Sequence, residues 1–171
     1  DNIELYKSHL TGYTFFNDLI FKEDEAEEHA FKKMHVRFKE ELVNTGRLNV
    51  NPENGGIRLK PFQLKEMYDK GEDFIIIDAR NDYESKIGKF QNALTPPLKT
   101  FRDWTNAVDE LKDRKEKKIV TYCTGGIRCE KASAYMREQG FNNVYQLEGG
   151  IVSYTKLFPD TYWEGGIFVF D

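Results

Sequence analysis

The apolar run 74–77, inside "DFIIID", constrains this chain more than any other stretch. Continuous runs of this kind, separated by helix-patterned segments, are what a parallel sheet covered on both faces requires. The neighbouring segments supply that pattern. Pro61 suits the first turn of a helix, "PFQLKEMYDKG", which Gly71 ends. "TFRDWTNAVDELKDRK" is amphipathic, with Phe101, Trp104, Val108 and Leu111 on one face. "KKIVTYC" is a second strand, and a helix is expected from Glu130 to about Gln139, closed by Gly140. "NVYQLE" and "GGIVSYTKLF" complete the alternation. The expected fold class is α/β, three layers around a central parallel sheet.

Residues 43–61, "VNTGRLNVNPENGGIRLKP", cluster Asn, Gly and Pro and mark the expected domain boundary. Before it, "NIELYKSHL" reads as a helix and "DLIFKE" as a strand. "MHVRFKEELV" alternates Met34, Val36 and Phe38 with polar neighbours, the period of a strand with one wet face. One helix and two strands bury no core of their own, so residues 1–50 are expected to be part of a small α+β domain, and residues 51–171 the α/β domain with a C-terminal extension. The first residue is Asp rather than Met, which suits a portion of a longer product. An open strand edge on the front segment would favour pairing between chains, hence a homo-oligomer.

No apolar run approaches the roughly 20 residues of a membrane helix, so no membrane partner is expected. Two cysteines do not make a disulfide framework; they suit thiol chemistry in a reducing cytoplasm. The net charge of −4 argues against broad nucleic-acid binding, so a polyanion needs a local basic patch.

Both cysteines lie in "YCTGGIRCEKASAYMREQG", 122–140. Cys123 follows a strand at the end of the sheet where ligand sites form in open α/β folds. Thr124, Gly125, Gly126, Ile127 and Arg128 follow it as the expected active-site loop. Gly125 and Gly126 permit backbone conformations that side chains forbid, so successive N–H groups can curl round one sulfur. The next helix adds its positive N-terminal end and Arg128 a full charge. A free thiol with a pKa of about 8.5 is only a few per cent ionised at neutrality. A drop of two units, ~2.7 kcal/mol, makes it mostly thiolate, the form that nucleophilic attack or sulfur transfer needs. Cys123 is therefore the expected catalytic residue.

"CTGGIR" before a helix resembles the active-site loop of the rhodanese superfamily. "IIIDARNDYESKIGKFQNAL" and "VYQLEGGI" resemble its earlier signature and its last strand and turn, together spanning residue 59 to about 157. In that superfamily the loop cysteine carries sulfane sulfur as a persulfide. Related phosphatases have one more residue between Cys and Arg, so the shorter loop weighs against that activity. The second cysteine, "FRDW", "EGGI" and "IFVFD" are similar to the bacterial tRNA uridine hydroxylase (TrhO) family. That resemblance implies a ferredoxin-like front domain, matching residues 1–50, and tRNA, at its anticodon region, as partner. It implies hydroxylation of the wobble uridine to 5-hydroxyuridine, with molecular oxygen as co-substrate and Cys123 required. No cofactor is evident in the sequence. The alternative is a sulfurtransferase carrying sulfur as a Cys123 persulfide. A non-catalytic rhodanese-fold module is a third class, opposed by the presence of Cys123 and Arg128.

Cys129 is a candidate resolving thiol. Its expected place at the helix start points it away from the loop, which favours a simple packing role. The spacing of the two cysteines is too wide for a zinc knuckle, and His9, His29 and His35 all lie in the front segment without a ligand pattern. No metal site is expected. Arg80 is either a substrate-binding candidate or the helical-spacing partner of Glu84. Asp78 is expected to orient loop amides. Arg102, Arg128, Lys131 and Arg137 are the candidate tRNA contacts, and Tyr122 or Phe101 a candidate stacking platform. "LKDRKEKK", 111–118, reads as a solvated run or as a phosphate-contacting patch.

Overall fold

The computed structural model of the chain describes residues 2–21, 23, 25, 27, 33, 35–46 and 49–168. They fall into two units, Asp1–Phe38 and Lys39–Asp171.

In the second unit the strands are β1 (Ile57–Leu59), β2 (Ile75–Asp78), β3 (Gly88–Phe90), β4 (Ile119–Tyr122), β5 (Val144–Leu147) and β6 (Trp163–Gly165). Four of them form one sheet in the order β1-β5-β4-β2, every neighbouring pair parallel. β3 and β6 form a separate antiparallel pair that the sequence pattern did not announce. The helices are α2 (Pro61–Asp69), α3 (Asp82–Ser85), α4 (Trp104–Asp109), α5 (Ile127–Glu138) and α6 (Gly150–Leu157), with α1 (Asn2–Thr11) in the first unit.

Period-two alternation and burial on both sides explain the apolar runs. Ile77, Ile119 and Cys123 face one core with Trp104, Val108, Ala132 and Met136 from α4 and α5. Ile76, Val120 and Tyr122 face the other, with Leu64, Met67, Ile151 and Tyr154 from α2 and α6. Every residue of β4 is buried, so a polar group there needs a partner to avoid a desolvation cost, which the Tyr122 hydroxyl goes without. Thr121 meets this requirement by donating to the Tyr145 carbonyl at 3.1 Å.

Three details differ from the sequence pattern. The amphipathic stretch 101–114 is a short α4 between 3-10 turns at Phe101–Asp103 and Lys112–Arg114. At its entry the Asp103 carboxylate accepts the N–H groups of Lys99 and Thr100, tightening the first turn. Next, α5 begins at Ile127, three residues before the expected start. Finally, the boundary stretch is partly packed: Val50 and Thr45 are each 3 % exposed, and β1 lies within it. The two compact units divide after Phe38.

In the first unit α1 forms as the sequence suggests, with Lys7 paired to Glu4 at 2.7 Å and to Glu23 at 2.6 Å. The strands expected over 18–23 and 34–43 are not formed among the described residues. Ile20, Val36, Phe38 and Leu42 are each at least 80 % exposed. A strand needs both a ladder partner and a face to bury, and alternation alone supplies neither. Met34, His29 and the end of "IFVFD" (169–171) lie outside the described residues.

Candidate active site

β4 delivers Cys123 to the carboxyl end of the sheet, and three interactions shape the loop that follows. The Ile151 N–H donates to the Cys123 carbonyl at 3.0 Å and the Val152 N–H to the Thr124 carbonyl at 3.1 Å. With these carbonyls tied to the start of α6, the loop's N–H groups turn inward. The Gly126 N–H reaches Cys123 Sγ at 3.2 Å. Gly126 adopts φ +92° as the residue before α5, a conformation in which glycine alone is unstrained. Gly150 matters more for space. It has φ +62°, and a Cβ there would sit 2.3 Å from the Cys123 carbonyl oxygen and 2.5 Å from that of Thr124. Gly125 carries no such requirement: its φ is not positive, and a Cβ would meet nothing within 4 Å. Of the expected glycine pair, one member shapes the loop; the other essential glycine comes from "EGGI".

Cys123 is 2 % exposed and faces an apolar core, yet its sulfur is surrounded by donors. The Cys129 thiol hydrogen-bonds to it; burial opposes ionisation; the Arg128 charge and the N–H groups of Cys129 and Gly126 favour it. The balance lowers the Cys123 pKa from 9.0 to about 6. Cys129, 0 % exposed, is pushed well above the ordinary thiol value, first by burial and then by the neighbouring Cys123 sulfur. Cys129 is buried in the same core cluster as Cys123. Because α5 starts at Ile127, Cys129 lies within the first turn, where backbone N–H groups have no helical acceptor and point back at the sulfur.

Arg128 is held by a residue the sequence reading paired elsewhere. Its two terminal nitrogens donate to the Glu84 carboxylate at 2.6 and 2.8 Å, and one also lies 3.4 Å from Thr124 Oγ1. Glu84 is fully buried; against the upward pull of burial, Arg128 and the Asn81 N–H hold its carboxyl below the usual range. The only sequence signal for Glu84 is the capping spacing in "NDYE", which gives it a helix-start role but not its distant partner.

Arg80 is not a substrate contact, nor the partner of Glu84. It is 0 % exposed and donates to Asp78 through Nε and Nη2 and to the Gly88 carbonyl at 2.6 Å. Asp78 also accepts from Ser85 Oγ at 2.9 Å and the Arg80 N–H, so the expectation that it orients the cysteine loop is corrected too. A buried arginine facing the Tyr122 and Trp163 rings, each about 5.5 Å away, is a packed structural ion pair.

The basic candidates disperse. Lys131 is 9 % exposed, paired with Glu41 and donating to the Val43 carbonyl. It lines a cavity of about 240 Å³ together with Glu40, Glu41 and Glu130, a setting that repels phosphate. Arg137 is committed to the carbonyls of Asn54 and Gly55. Arg102 remains exposed, touching Asn44 Oδ1 at 3.1 Å. Tyr122 is fully buried in the core, and Phe101 is half-buried, stacked on Trp104. In the 112–118 run, Lys112, Lys117 and Lys118 pair with Asp109, Asp73 and Glu72. His9 contacts Tyr13 within the first unit. Among the described residues no cluster of His, Cys, Asp or Glu is placed to hold a metal, and no helix is long and apolar enough to cross a membrane.

Comparison with known proteins places this geometry. Residues 60–157 match the family described as rhodanese-like domain. Proteins named tRNA uridine(34) hydroxylase are similar along the chain: that of Bacillus licheniformis is 45 % identical over 100 % of this chain and 54 % of its own length. That of Staphylococcus haemolyticus is 46 % identical over 100 % and 55 %. That of Cytophaga hutchinsonii is 42 % identical over 97 % and 53 %. The chain thus spans about half the length of the curated relatives it matches. Among solved structures, the rhodanese-like domain of an Anabaena protein superposes with a TM-score of 0.54 at 22 % identity, covering 67 % of this chain and 89 % of that one. The BH2092 protein of Bacillus halodurans gives 0.52 at 29 % identity, covering 64 % and 77 %.

Proposed function

The chain belongs to the rhodanese-like domain family, and from that premise we propose that it is the Cys123-bearing domain of an enzyme that hydroxylates the wobble uridine of tRNA. The observation that carries this reading is similarity at 42–46 % identity, along 97–100 % of the chain, to proteins named for that reaction. The product is 5-hydroxyuridine, with molecular oxygen as co-substrate, as the family resemblance implies. Cys123 is the catalytic residue, held as thiolate by the Gly126 and Cys129 donors and the Arg128 charge. With the residue 2 % exposed, a nucleobase meets the sulfur only across the rim of residues 124–127, of which Ile127 is 49 % exposed. Among the named tRNA-contact candidates, Arg102 is an exposed one.

The test is mass spectrometry of tRNA nucleosides from cells lacking the gene, complemented with the full-length gene or its Cys123→Ser form. The reading predicts loss of 5-hydroxyuridine in the deletion, recovery with the wild type and none with the variant. An unchanged 5-hydroxyuridine level in the deletion refutes it.

The convergence of donors on a single sulfur favours one second reading, a sulfurtransferase carrying sulfane sulfur as a Cys123 persulfide. It predicts turnover of thiosulfate or a persulfide by the purified protein, lost in Cys123→Ser.

A further inference from the structure

A ring that receives an unstacked base must be exposed, held in place and close to the reacting atom. Tyr122 is fully buried and offers no such face. Tyr83 in α3 is 42 % exposed. Its hydroxyl accepts from Asn81 Nδ2 at 3.1 Å, and its ring meets that of Phe168 edge-on with centroids 5.4 Å apart. These two contacts fix the ring while part of it stays open to solvent. Tyr83 immediately precedes Glu84, and successive helical residues point about 100° apart. Glu84 turns inward, where Arg128 donates to it at 2.6 and 2.8 Å, and Tyr83 turns out. A single ion pair therefore joins the residue beside this ring to the loop that follows Cys123.

An exposed tyrosine alone means little; the charges around this one add to it. Asp82 lies between two exposed cations. Lys86 Nζ donates to it at 2.9 Å, and the Asp82 N–H donates to the Leu98 carbonyl at 2.8 Å, which brings in Lys99. The Asp82 carboxyl is held below its ordinary value, most by its bond to Lys86, with the Lys99 charge acting in the same direction. Two cations against one carboxylate leave the surroundings of Tyr83 locally positive on a chain whose net charge is −4. We propose that Tyr83 is a substrate-binding residue, whose exposed ring stacks on an unpaired base beside the target uridine while Lys86 and Lys99 meet the flanking phosphates. Every base has a π-face, so this contact favours a single-stranded loop without reading its sequence. A duplex, whose bases already stack on one another, offers the same surface only phosphate.

This proposal rests on the tRNA reading of the site, and the experiment separates the two. In the full-length protein, fluorescence anisotropy gives dissociation constants for two labelled RNAs. One is an anticodon stem-loop with unmodified uridine at the wobble position; the other is a duplex of similar length. Wild type, Tyr83→Phe and Tyr83→Leu are compared, with folding checked by circular dichroism. The Leu variant fills the space against Phe168 without an aromatic face. It is expected to bind the stem-loop about 10-fold more weakly and the duplex within about 2-fold of wild type. The Phe variant, which keeps the ring, should stay within about 3-fold on both RNAs. Should the Leu variant unfold, Tyr83→Met decides in its place. Wild-type affinity for the stem-loop in the Leu or Met variant, an equal loss on both RNAs, or a Phe variant as weak as Leu overturns the proposal. A wild-type protein that binds the stem-loop no better than the duplex overturns the tRNA-loop reading itself, and the proposal with it.

Discussion

The turn after β2 and the loop after β4 leave the same end of the same sheet, in register at Asp78 and Tyr122, yet they do opposite things with charge. In the first, Asp78 accepts from Arg80 and Ser85, and Arg80 donates to the Gly88 carbonyl, so the two formal charges pair locally even though Arg80 Nη1 is left without a hydrogen-bond partner. In the second, donors gather on a sulfur without another anion among them, so the sulfur becomes the anion. The two regions meet in one ion pair, Glu84 from the first and Arg128 from the second. A cation already engaged by a buried carboxylate shapes the loop while adding less net charge than its formal value. The comparison teaches that buried charge next to a site is structural when balanced locally and chemical when one partner is withheld.

The largest effect expected from breaking this contrast is in the balanced turn. Arg80→Met strands the Asp78 carboxylate in the core and should cost about 3–5 kcal/mol. Urea unfolding measures it, and Cys123 chemistry in whatever folds should be little altered. Next is the shared pair. Arg128→Gln leaves Glu84 buried without its cation, at a cost of roughly 2–4 kcal/mol near neutrality. In the wild type the lowered Glu84 pKa contributes stability that is present above the ordinary carboxylate range and lost as pH falls through the folded value. The variant lacks that contribution, so the gap between the two proteins should narrow on acidification, as unfolding series at several pH values would show. The smallest effects separate the glycines. Gly150→Ala forces a Cβ onto two loop carbonyls at positive φ and should cost roughly 2–3 kcal/mol, whereas Gly125→Ala should stay within about 0.5 kcal/mol. Equal melting shifts for the two would contradict the account of how α6 holds the loop.

How much of this was legible depended on the range of the interaction. The runs at 74–77 and 119–122 gave away the doubly covered sheet because burial on both faces is written in consecutive residues. Cys123 and Arg128 were legible because their loop is local. The start of α5 at Ile127 was not: the residue before it is Gly126 in a left-handed conformation, which leaves none of the Ser, Thr or Asp signals of a helix start. That shift of three residues puts Cys129 inside the first turn of α5, in the same buried core as Cys123. Glu84 with Arg128 and Lys131 with Glu41 are pairings across long chain separations, which spacing rules do not reach. The front segment shows the converse failure. Its alternation at Val36 and Phe38 was readable, but a strand pattern forms no strand without a ladder partner, and both side chains are exposed.

The central claim is that the loop keeps Cys123 ionised at neutral pH. Its most direct test is the Cβ carbon shift of Cys123, followed through pH in protein labelled with ¹³C at cysteine and assigned with Cys123→Ser. The account predicts a midpoint near the value of about 6 that the surrounding donors impose. A resonance that stays that of a neutral thiol until the ordinary value of 9.0 would contradict it.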